Sequence, residues 1–460
     1  MQSDVKLYRE ITSEAQAALA ESGVFDATWY SDRYPDVALS GMDPWDHFRT
    51  VGFMLGRDPG PRFSESFHQF ANPRLAKSKA SALMQSLGGT PAEVEQRRIL
   101  QAASHLQDIG EADLAEKLLH KHLPAELAYS AAILRANAAL ATGDEDSWLQ
   151  HLNAYLQHDS GIAPLRLTPG LGAMTSRLAT AELRKQSGGP LVSVIMPAWN
   201  AAATVEGAAR SILNQTWQNI ELLIVDDCSS DNTWQVLQKI AASDDRVKIR
   251  RNTYNVGPYV SKNLALRDAK GEWVTGQDAD DWSHPQRIER HLGKFQKLGR
   301  PVLAGLTYMI RILPSGRFGH IGPISGFSVD GVKRKSSISC LFHRATMMDR
   351  LGYWDSVRFG ADSEMIARTM QLLGDAYADL PMISMVCLDL ETSLTNHAEF
   401  GVSKTTGISP VRASFRDAWD SWHKSNFAES GPYVPFPMVN RRYAAPAEMV
   451  VPLAHVEGNL

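Results

Sequence analysis

Residues 191–233, "LVSVIMPAWNAAATVEGAARSILNQTWQNIELLIVDDCSSDNT", place one helical segment between two apolar strands. The runs "LVSVIMP" and "IELLIV" have the apolar, β-branched character of buried strands, and "TVEGAARSILNQ" between them has helical spacing. The alternation continues to Gln277 through "TWQVLQKIAAS", "RVKIRR", "YVSKNLALRDA" and "EWVTGQ". Strands that alternate with helices at short intervals predict βαβ units and a mostly parallel sheet. The sequence therefore predicts an α/β fold.

Polar side chains follow four of these strands, at the point where each strand ends. Ligands of such sheets bind beyond the carboxyl ends of the strands, so we expect these residues to share one binding edge. In chain order these strand ends carry Pro197 and Ala198 with the polar Asn200, then Asp226 and Asp227, then Asn255 with Gly257, and finally Asp278, Asp280 and Asp281.

Some of these residues have the chemistry of a nucleotide site. A carboxylate at Asp226 or Asp227 can accept hydrogen bonds from a base or a ribose. A glycine at 257 lets the backbone approach a ligand closely, and Lys262, one turn into the next helix, can reach a phosphate. The alternative is that the acids only form turns and helix caps.

The segment "TGQDADDWSHP", residues 275–285, packs three carboxylates into four positions. Like charges this close raise one another's pKa, and a cation among them would remove that cost. Mg²⁺ and Mn²⁺ are held by one or two carboxylates together with substrate phosphates, so a diphosphate would complete the site. The segment lacks the glycine and terminal Glu of an EF-hand. The chain also has neither a Walker loop nor a Rossmann glycine pattern.

Composition narrows the class of protein. The chain has 460 residues, which favours two to four domains, and a net charge of −4 with a pI of about 6.4, which argues against nucleic-acid binding. Its three cysteines fit neither a zinc site nor a disulfide framework, which is typical of a reduced cytosolic protein. The polar start and the absence of a long apolar run predict a cytoplasmic protein, with any contact to the inner membrane peripheral.

Four regions are predicted along the chain. Residues 1–70 form a small aromatic-rich helical module, and residues 71–185 form a helical, tetratricopeptide-like region that offers a scaffold or a protein-binding surface. After the linker "RKQSGGP", residues 190–400 form the sheet domain, and residues 401–460 form a C-terminal extension. Six side chains of the first module either line a ligand groove or form its core: Trp29, Tyr30, Tyr34, Trp45, His47 and Phe48.

The motifs "VSVIMPAWN", "VDDCSSDNT", "NVGPYVSKN" and "TGQDADDWSHPQRIERH" resemble the family 2 glycosyltransferases, over roughly residues 190–396. The resemblance implies the GT-A nucleotide-diphospho-sugar transferase fold, which is Rossmann-like, preceded here by an all-α region. It also implies a UDP- or GDP-type sugar donor and a divalent Mn²⁺ or Mg²⁺ on the motif Asp278-Ala279-Asp280, chiefly on Asp280. By the same resemblance, Asp227 would face the nucleobase, and the backbone at Pro197 and Ala198 would cradle the nucleoside.

The segment "SCLFHRATMMDRLGYWDSVRFGADSEMIARTMQLLG" resembles the acceptor part of the family. The family shows Glu-Asp, a second acid two residues later and then Arg. Asp362, Glu364 and Arg368 match this pattern, whereas Ala361 replaces the first Glu. The resemblance implies that Asp362 is the general base, with Glu364 as the second candidate. The alternatives are that Asp362 caps a helix and that Glu364 and Arg368 form a surface ion pair.

Three further residues take their expected roles from the same resemblance. Asp281, Trp282 and Arg368 are expected on the acceptor side. A late histidine joins the metal in some GT-A enzymes, which makes His397 in "TSLTNH" a third candidate ligand. A histidine on the surface with no ligand role is the alternative.

Together these features predict an inverting, metal-dependent glycosyltransferase of the hexosyl-transferring type. Its acceptor is a glycan or a lipid-linked oligosaccharide, and its N-terminal helices resemble extensions of bacterial surface and exopolysaccharide enzymes. One alternative is a catalytically silent GT-A scaffold that binds a protein partner. A nucleotidyltransferase would need a glycine-rich basic loop after the first strand, where this chain has "PAWNAA".

Overall fold

A computed structural model gives the fold of most of the chain. It describes residues 13–53, 55–61, 63, 83, 96–159, 161–170, 172–391, 393, 394, 396, 397, 399–403, 407–425 and 431–460. The chain divides into two compact units, Met1–Ala131 with Ile321–Gly326 and Ala132–His320 with Phe327–Leu460. Across the described residues, no helix is both long and apolar enough to cross a bilayer. The division at residue 131 falls inside the predicted region 71–185, and the four predicted regions stay a prediction.

The described part of the first unit is helical. Short 3₁₀ turns at Gln96–Arg98 and Ala125–Ser130 and a π turn at Phe48–Gly52 accompany its helices. The helices are α1 (Ser13–Ser22), α2 (Ala27–Arg33), α3 (Asp36–Ser40), α4 (Pro44–His47), α5 (Ile99–Asp108) and α6 (Ala112–His122).

Aromatic side chains form the core of the first four helices. Tyr30 and Phe48 are fully buried, and Trp29, Tyr34 and Trp45 pack around them, partly buried. The Tyr30 hydroxyl lies 3.1 Å from Nδ1 of His47, so the polar atoms inside the core are paired. The second alternative for this module, a packed core, is what the structure shows.

The second unit begins with two helices that the sequence predicted, α7 (Ala131–Ala141, from its second residue) and α8 (Glu145–Asp159). They are joined to the sheet domain by side-chain hydrogen bonds. Asn137 Nδ2 donates to the Phe318 carbonyl over 3.1 Å, and Trp148 Nε1 donates to the Gly316 carbonyl over 3.0 Å. These helices therefore belong structurally with the sheet.

Thirteen strands occur in the described part of the second unit. They are β1 (Leu165–Leu167), β2 (Leu178–Thr180), β3 (Val192–Ala198), β4 (Ile220–Asp226), β5 (Val247–Arg251), β6 (Trp273–Gly276), β7 (Trp282–Ser283), β8 (Ala304–Ile312), β9 (Arg334–Lys335), β10 (Leu341–His343), β11 (Tyr377–Leu388), β12 (Val402–Ser403) and β13 (Gly407–Ile408).

Nine of the described strands form one sheet in the order β5-β4-β3-β6-β10-β8-β11-β7, with β9 paired to β8. Strands β3 to β6 pair in parallel, as predicted, and every residue of β3 is buried, as expected for a strand covered on both faces. Beyond β6 the sheet is mixed, because β10, β7 and β9 run antiparallel to their neighbours while β11 runs parallel to β8. The sheet thus has a parallel half and a mixed half that meet at β6 and β10.

Further helices cover this sheet. Short turns at Ser337–Ser339, Met347–Leu351 and Gly374–Ala376 join them. The helices are α9 (Met174–Arg177), α10 (Val205–Leu213), α11 (Thr233–Ser243), α12 (Gly257–Asp268), α13 (Arg287–Lys297), α14 (Arg344–Thr346), α15 (Ala361–Leu373), α16 (Pro410–Ser425) and α17 (Leu453–Glu457).

The C-terminal residues pack against α12. Val451 and Val456 share an apolar cluster with Val260 and Leu264 of that helix. Oδ1 of Asn459 accepts the backbone N–H of Thr253 over 2.6 Å, in the segment that leads into the helix. The last residues of the chain therefore help to fix α12, which carries Lys262 into the candidate site.

Candidate active site

The carboxyl ends of β3 and β4 are connected by hydrogen bonds between the residues that follow them. Ala198 pairs with Asp226 at the last position of the ladder. Asn200 takes a left-handed conformation with φ of 48°, and its Oδ1 accepts the N–H of Ser230 over 2.9 Å. Asp226 is fully buried, accepts the N–H of Ser229 over 3.1 Å and lies 3.1 Å from Nε of Arg251. In this structure Asn200 and Asp226 form turns, and their predicted donor contacts stay predictions.

Asp227 holds the start of α12. Its two carboxylate oxygens accept the N–H groups of Val256 over 3.0 Å and Gly257 over 2.7 Å, and Nδ2 of Asn252 donates to it over 2.8 Å. Burial raises the pKa of Asp227, and these hydrogen bonds oppose that rise. The carboxylate satisfies helix amides that would otherwise lack partners. Its predicted contact with a nucleobase stays a prediction.

Gly257 is required by the approach of another segment. Its φ is 77°, and a Cβ at this position would lie 3.2 Å from Cα of Arg358. Nη1 of Arg358 donates to Oδ1 of Asn255 over 2.8 Å. The "NVG" segment therefore joins the parallel half of the sheet to the chain that leads into α15, which the sequence reasoning did not foresee.

The three carboxylates after β6 form the acid cluster, Asp278, Asp280 and Asp281. The Asp278 side chain is 43% exposed, whereas Asp281 is buried and accepts the N–H of Leu388 over 3.1 Å. Burial and then the charge of Asp278 raise the pKa of Asp280 to about 6. Burial and then the charges of Asp280 and Asp278 raise the pKa of Asp281 well above its ordinary value. The repulsion expected from the sequence is present, and the nearby cations Lys262 and Arg311 offset it only in part.

One face of α12 joins the acid cluster to Asp362. Lys262 Nζ lies 3.7 Å from Oδ1 of Asp278 and 5.2 Å from the ring centroid of Tyr259. The Tyr259 hydroxyl donates to Oδ1 of Asp362 over 2.9 Å. Tyr259 and Lys262 are three positions apart, which places them side by side on the helix. Tyr259 lies in the motif "NVGPYVSKN", but no role was predicted for it from the sequence.

Asp362 lies in the first turn of α15. The capping position is Gly360, with φ of 88°, and no side chain caps it. Asp362 accepts only the N–H of the next residue, Ser363, over 2.9 Å within its own helix. The alternative in which Asp362 is the helix cap is therefore not what the structure shows.

Glu364 and Arg368 form the predicted i,i+4 ion pair, but in the interior. Neither side chain has exposed surface. Arg368 Nε and Nη2 donate to the two carboxylate oxygens of Glu364 over 2.8 and 3.0 Å, and His423 Nε2 lies 3.0 Å from Oε1. Burial would raise the pKa of Glu364, yet the charge of Arg368 and the hydrogen bond from His423 bring it below the ordinary value. The expected roles of Glu364 as the second candidate base and of Arg368 on the acceptor side stay predictions, although both side chains are buried in this structure.

His397 makes local contacts in its own turn. Its Nδ1 lies 3.2 Å from the N–H groups of Glu399 and Phe400, and its ring stacks on Phe400 at 5.0 Å. Within the described ranges, no three Asp, Glu, His or Cys side chains are grouped as a metal site. The predicted set of Asp278, Asp280 and His397 is therefore not assembled, because the histidine is held by its own turn.

Two buried residues, Trp282 and Arg287, follow the acid cluster in the chain. Trp282 is buried on β7 and meets the ring of His284 edge-on at 5.8 Å, and its predicted place on the acceptor side stays a prediction. Arg287 is buried at the start of α13 and donates to Oγ1 of Thr275 over 2.7 Å and to the Gly276 carbonyl over 2.8 Å. Burial lowers the pKa of Arg287 to about 10. Its role in fixing the loop was not predicted, because only the fold brings α13 under β6.

Residues 193–355 match the model of glycosyl transferase family 2. A UDP-Glc:alpha-D-GlcNAc-diphosphoundecaprenol beta-1,3-glucosyltransferase of Escherichia coli is 40% identical over 102 residues, which are 22% of this chain and 40% of that protein. A glycosyltransferase of Streptococcus pneumoniae is 33% identical over 118 residues, 26% of this chain and 39% of that protein. The chain spans 33% to 49% of the length of three further curated relatives.

Solved structures also align with part of the chain. S. aureus TarS in complex with UDP-GlcNAc aligns at a TM-score of 0.37 with 21% identity, over 44% of this chain and 59% of that one. A mannosyltransferase from Pyrobaculum calidifontis in complex with GDP-Man and Mn²⁺ aligns at a TM-score of 0.33 with 20% identity, over 57% and 68%.

The family match confirms both the predicted family and its α/β fold of the GT-A type. The matched segment begins in β3, passes the acid cluster and ends at Asp355, just before α15. Over this segment the chain matches glycosyl transferase family 2.

Proposed function

We propose that the chain is an inverting glycosyltransferase that moves a sugar, of the hexose type, from a UDP- or GDP-linked donor to a glycan or lipid-linked acceptor in bacterial polysaccharide synthesis. The observation that carries this proposal is the connection through α12. It places the acid cluster and Asp362 at the two ends of one short chain of side chains, Lys262 and Tyr259. The printed name of the Escherichia coli relative supports a nucleotide sugar and a diphosphate-linked acceptor.

The donor would lie over the parallel half of the sheet. The backbone at Pro197 and Ala198, with the segments around Asp227 and Asn255, offers the nucleoside its surface. Lys262 would meet the diphosphate with a positive charge. This assignment accords with the place of the four strand ends, which share one edge because β3 to β6 pair in parallel.

The residues after β6 suit a hard divalent cation. Two carboxylates, Asp278 and Asp280, lie close enough for the charge of Asp278 to add to the effect of burial in raising the pKa of Asp280. Mg²⁺ and Mn²⁺ accept one or two carboxylates when substrate phosphates and water provide the remaining ligands. Asp278 and Asp280 would hold such an ion, and its chemistry is to offset negative charge on the leaving diphosphate.

Asp362 would act as the general base. The acceptor oxygen forms its bond to the anomeric carbon as the bond from that carbon to the diphosphate oxygen breaks, and the hydroxyl proton passes to Asp362. Tyr259 holds one oxygen of this carboxylate and so orients it. Ala361, which is fully buried, stands where the resemblance predicts a Glu. The hydroxyl of Tyr259 therefore provides the side-chain support for Asp362 that this Glu would have given.

The test is release of nucleoside diphosphate from a panel of UDP- and GDP-sugars with an acceptor present. We expect Asp362→Asn to fold, to bind donor as the wild type does and to lower turnover by about 10²-fold or more, because base catalysis contributes at this scale. Asp375→Asn, an exposed acid beyond the end of α15, is the matched control. A wild-type protein that binds no nucleotide sugar and releases no diphosphate would leave the silent scaffold as the explanation.

A further inference from the structure

Two arginines and a histidine lie near Asp389 on the mixed half of the sheet. Arg311 is the residue before the end of β8, and Arg334 begins β9, which pairs with β8. His320 lies between them in the chain, and Asp389 follows the last residue of β11. We refer to Arg311, His320 and Arg334 as the cationic cluster.

A single carboxylate, Asp389, lies among these side chains. Nη1 of Arg311 is 3.8 Å from its Oδ1, and Nδ1 of His320 is 3.8 Å from its Oδ2. Among the described residues, Nδ2 of Asn396 donates to the carboxylate over 2.7 Å. Both cationic distances exceed a hydrogen bond, so Asp389 attracts the cluster without satisfying its donors.

Two buried side-chain nitrogens of the cluster have no hydrogen-bond partner in the described part of the chain. They are Nδ1 of His320 and Nε of Arg334. Nη2 of Arg334 donates to the backbone carbonyl of His320 over 3.3 Å, which places the Arg334 side chain against the backbone of His320. Buried donors without partners are costly, so this arrangement is suited to an acceptor that the protein does not itself provide.

The guanidinium groups of Arg311 and Arg334 are close enough for their charges to act on each other. Burial and then the charge of Arg311 lower the pKa of Arg334 to about 10, although Asp389 and Asp330 act in the opposite direction. The charge of Arg311 also acts on Asp280 and Asp281, so the cluster is next to the acid cluster. An anion bound here would lie beside the reacting groups.

The order of the strands separates this place from the donor. Lys262 is on α12, which packs on β3 and β4, whereas the cluster is on β8, β9 and the end of β11, with β10 between the two halves. Guanidinium groups bind phosphate oxygens through paired N–H donors. We propose that Arg311, His320 and Arg334 bind a phosphate or diphosphate of the acceptor, which rests on the proposed glycosyl transfer and narrows its acceptor to a phosphate-linked glycan.

The test is calorimetric binding, in chelator and without nucleotide, of two ligands with the same sugar and short alkyl chain. One is N-acetylglucosamine α-diphosphate alkyl ester, and the other is the neutral alkyl glycoside. We expect the wild type to bind the diphosphate about tenfold or more tightly than the glycoside, since charge-assisted hydrogen bonds have this scale. Arg334→Gln and Arg311→Gln should each remove most of that preference. Arg210→Gln, which removes an exposed ion pair with Glu206, should retain it.

Two results would overturn the proposal. The first is equal binding of both ligands by the wild type, or a preference that both cluster variants keep. The second is that Arg334→Gln weakens UDP as much as it weakens the acceptor diphosphate, which would assign the cluster to the donor. If Arg334→Gln fails to fold by circular dichroism, Arg311→Gln and His320→Ala carry the same comparison.

The proposed function has a separate readout in these samples. Release of nucleoside diphosphate from donor sugars tests glycosyl transfer itself. Binding of the diphosphate ligand without any such release would support the anion site and contradict the transferase. Release without a preference for the diphosphate ligand would support the transferase and contradict the anion site.

Discussion

The acid cluster after β6 and the Glu364–Arg368 pair on α15 both bury carboxylates, yet their charges are treated differently. Glu364 has a guanidinium on both oxygens and a histidine beside it, and its pKa is lowered. Burial and then the charges of neighbouring acids, Asp278 among them, raise the pKa values of Asp280 and Asp281. A buried acid whose charge is matched stabilises the fold, whereas a group of acids with unmatched charge indicates a place for a ligand cation.

The largest effect is expected when the charge of Asp280, in the acid cluster, is removed. We expect Asp280→Asn to lower turnover by about 10²- to 10³-fold, because charge on the leaving diphosphate is no longer stabilised. Binding of UDP or GDP should lose its dependence on Mn²⁺ or Mg²⁺, measured by calorimetry with and without chelator. The free energy of unfolding should stay the same or rise, because the variant removes a repulsive charge.

The control for Asp280→Asn is Asp268→Asn, an exposed acid at the end of α12. It should leave both turnover and metal dependence unchanged. Full nucleotide binding in chelator by the wild type, unchanged in Asp280→Asn, would contradict the metal hypothesis.

The next prediction concerns the charge of Glu364, which is paired with Arg368. Glu364→Gln should lower the free energy of unfolding by about 3–5 kcal/mol, because Arg368 is left buried without its counter-ion. Urea unfolding of purified protein measures this, and Glu364→Gln with Arg368→Met should recover part of the loss. If instead Glu364→Gln is as stable as the wild type and loses turnover while Asp362→Asn transfers sugar normally, the base is Glu364.

The pH dependence of the free energy of unfolding gives a second test of the Glu364–Arg368 ion pair. The pKa of Glu364 lies below its ordinary value of 4.5 in the folded chain, so its ionised form stabilises the fold above that value and this contribution is lost as the pH falls below it. The unfolding free energies of the wild type and Glu364→Gln should therefore differ most near neutral pH and converge as the pH falls through 4.5. A difference that stays constant across this range would contradict the ion-pair explanation.

The smallest effect is expected at Tyr259, which lies between Lys262 and Asp362. Tyr259→Phe keeps the ring beside Lys262 but removes the hydroxyl that holds Asp362. We expect kcat to fall by about tenfold and the donor KM to stay nearly constant, because the lost hydrogen bond orients the base rather than the donor. Tyr254→Phe, an exposed tyrosine outside the helix, is the matched control. A change in donor KM alone would place Tyr259 on the donor side.

The sequence by itself determined the parallel half of the sheet and the place of the acid cluster. Apolar runs at β3, β4 and β6 are long enough to mark buried strands, and parallel pairing brings the residues that follow them to one edge. It also predicted the repulsion among Asp278, Asp280 and Asp281, since that depends only on neighbours in the chain.

Only the tertiary structure decided which of these polar residues are free to act. Glu364 is buried by His423, which lies 59 positions away, and Asp362 is held by Tyr259, which lies 103 positions away. The same holds for Asp227, whose carboxylate caps a helix, and for the cationic cluster, which two strands and the segment between them bring together. Local sequence fixes the charge and the spacing of a residue, but its exposure and its partners depend on contacts between distant segments.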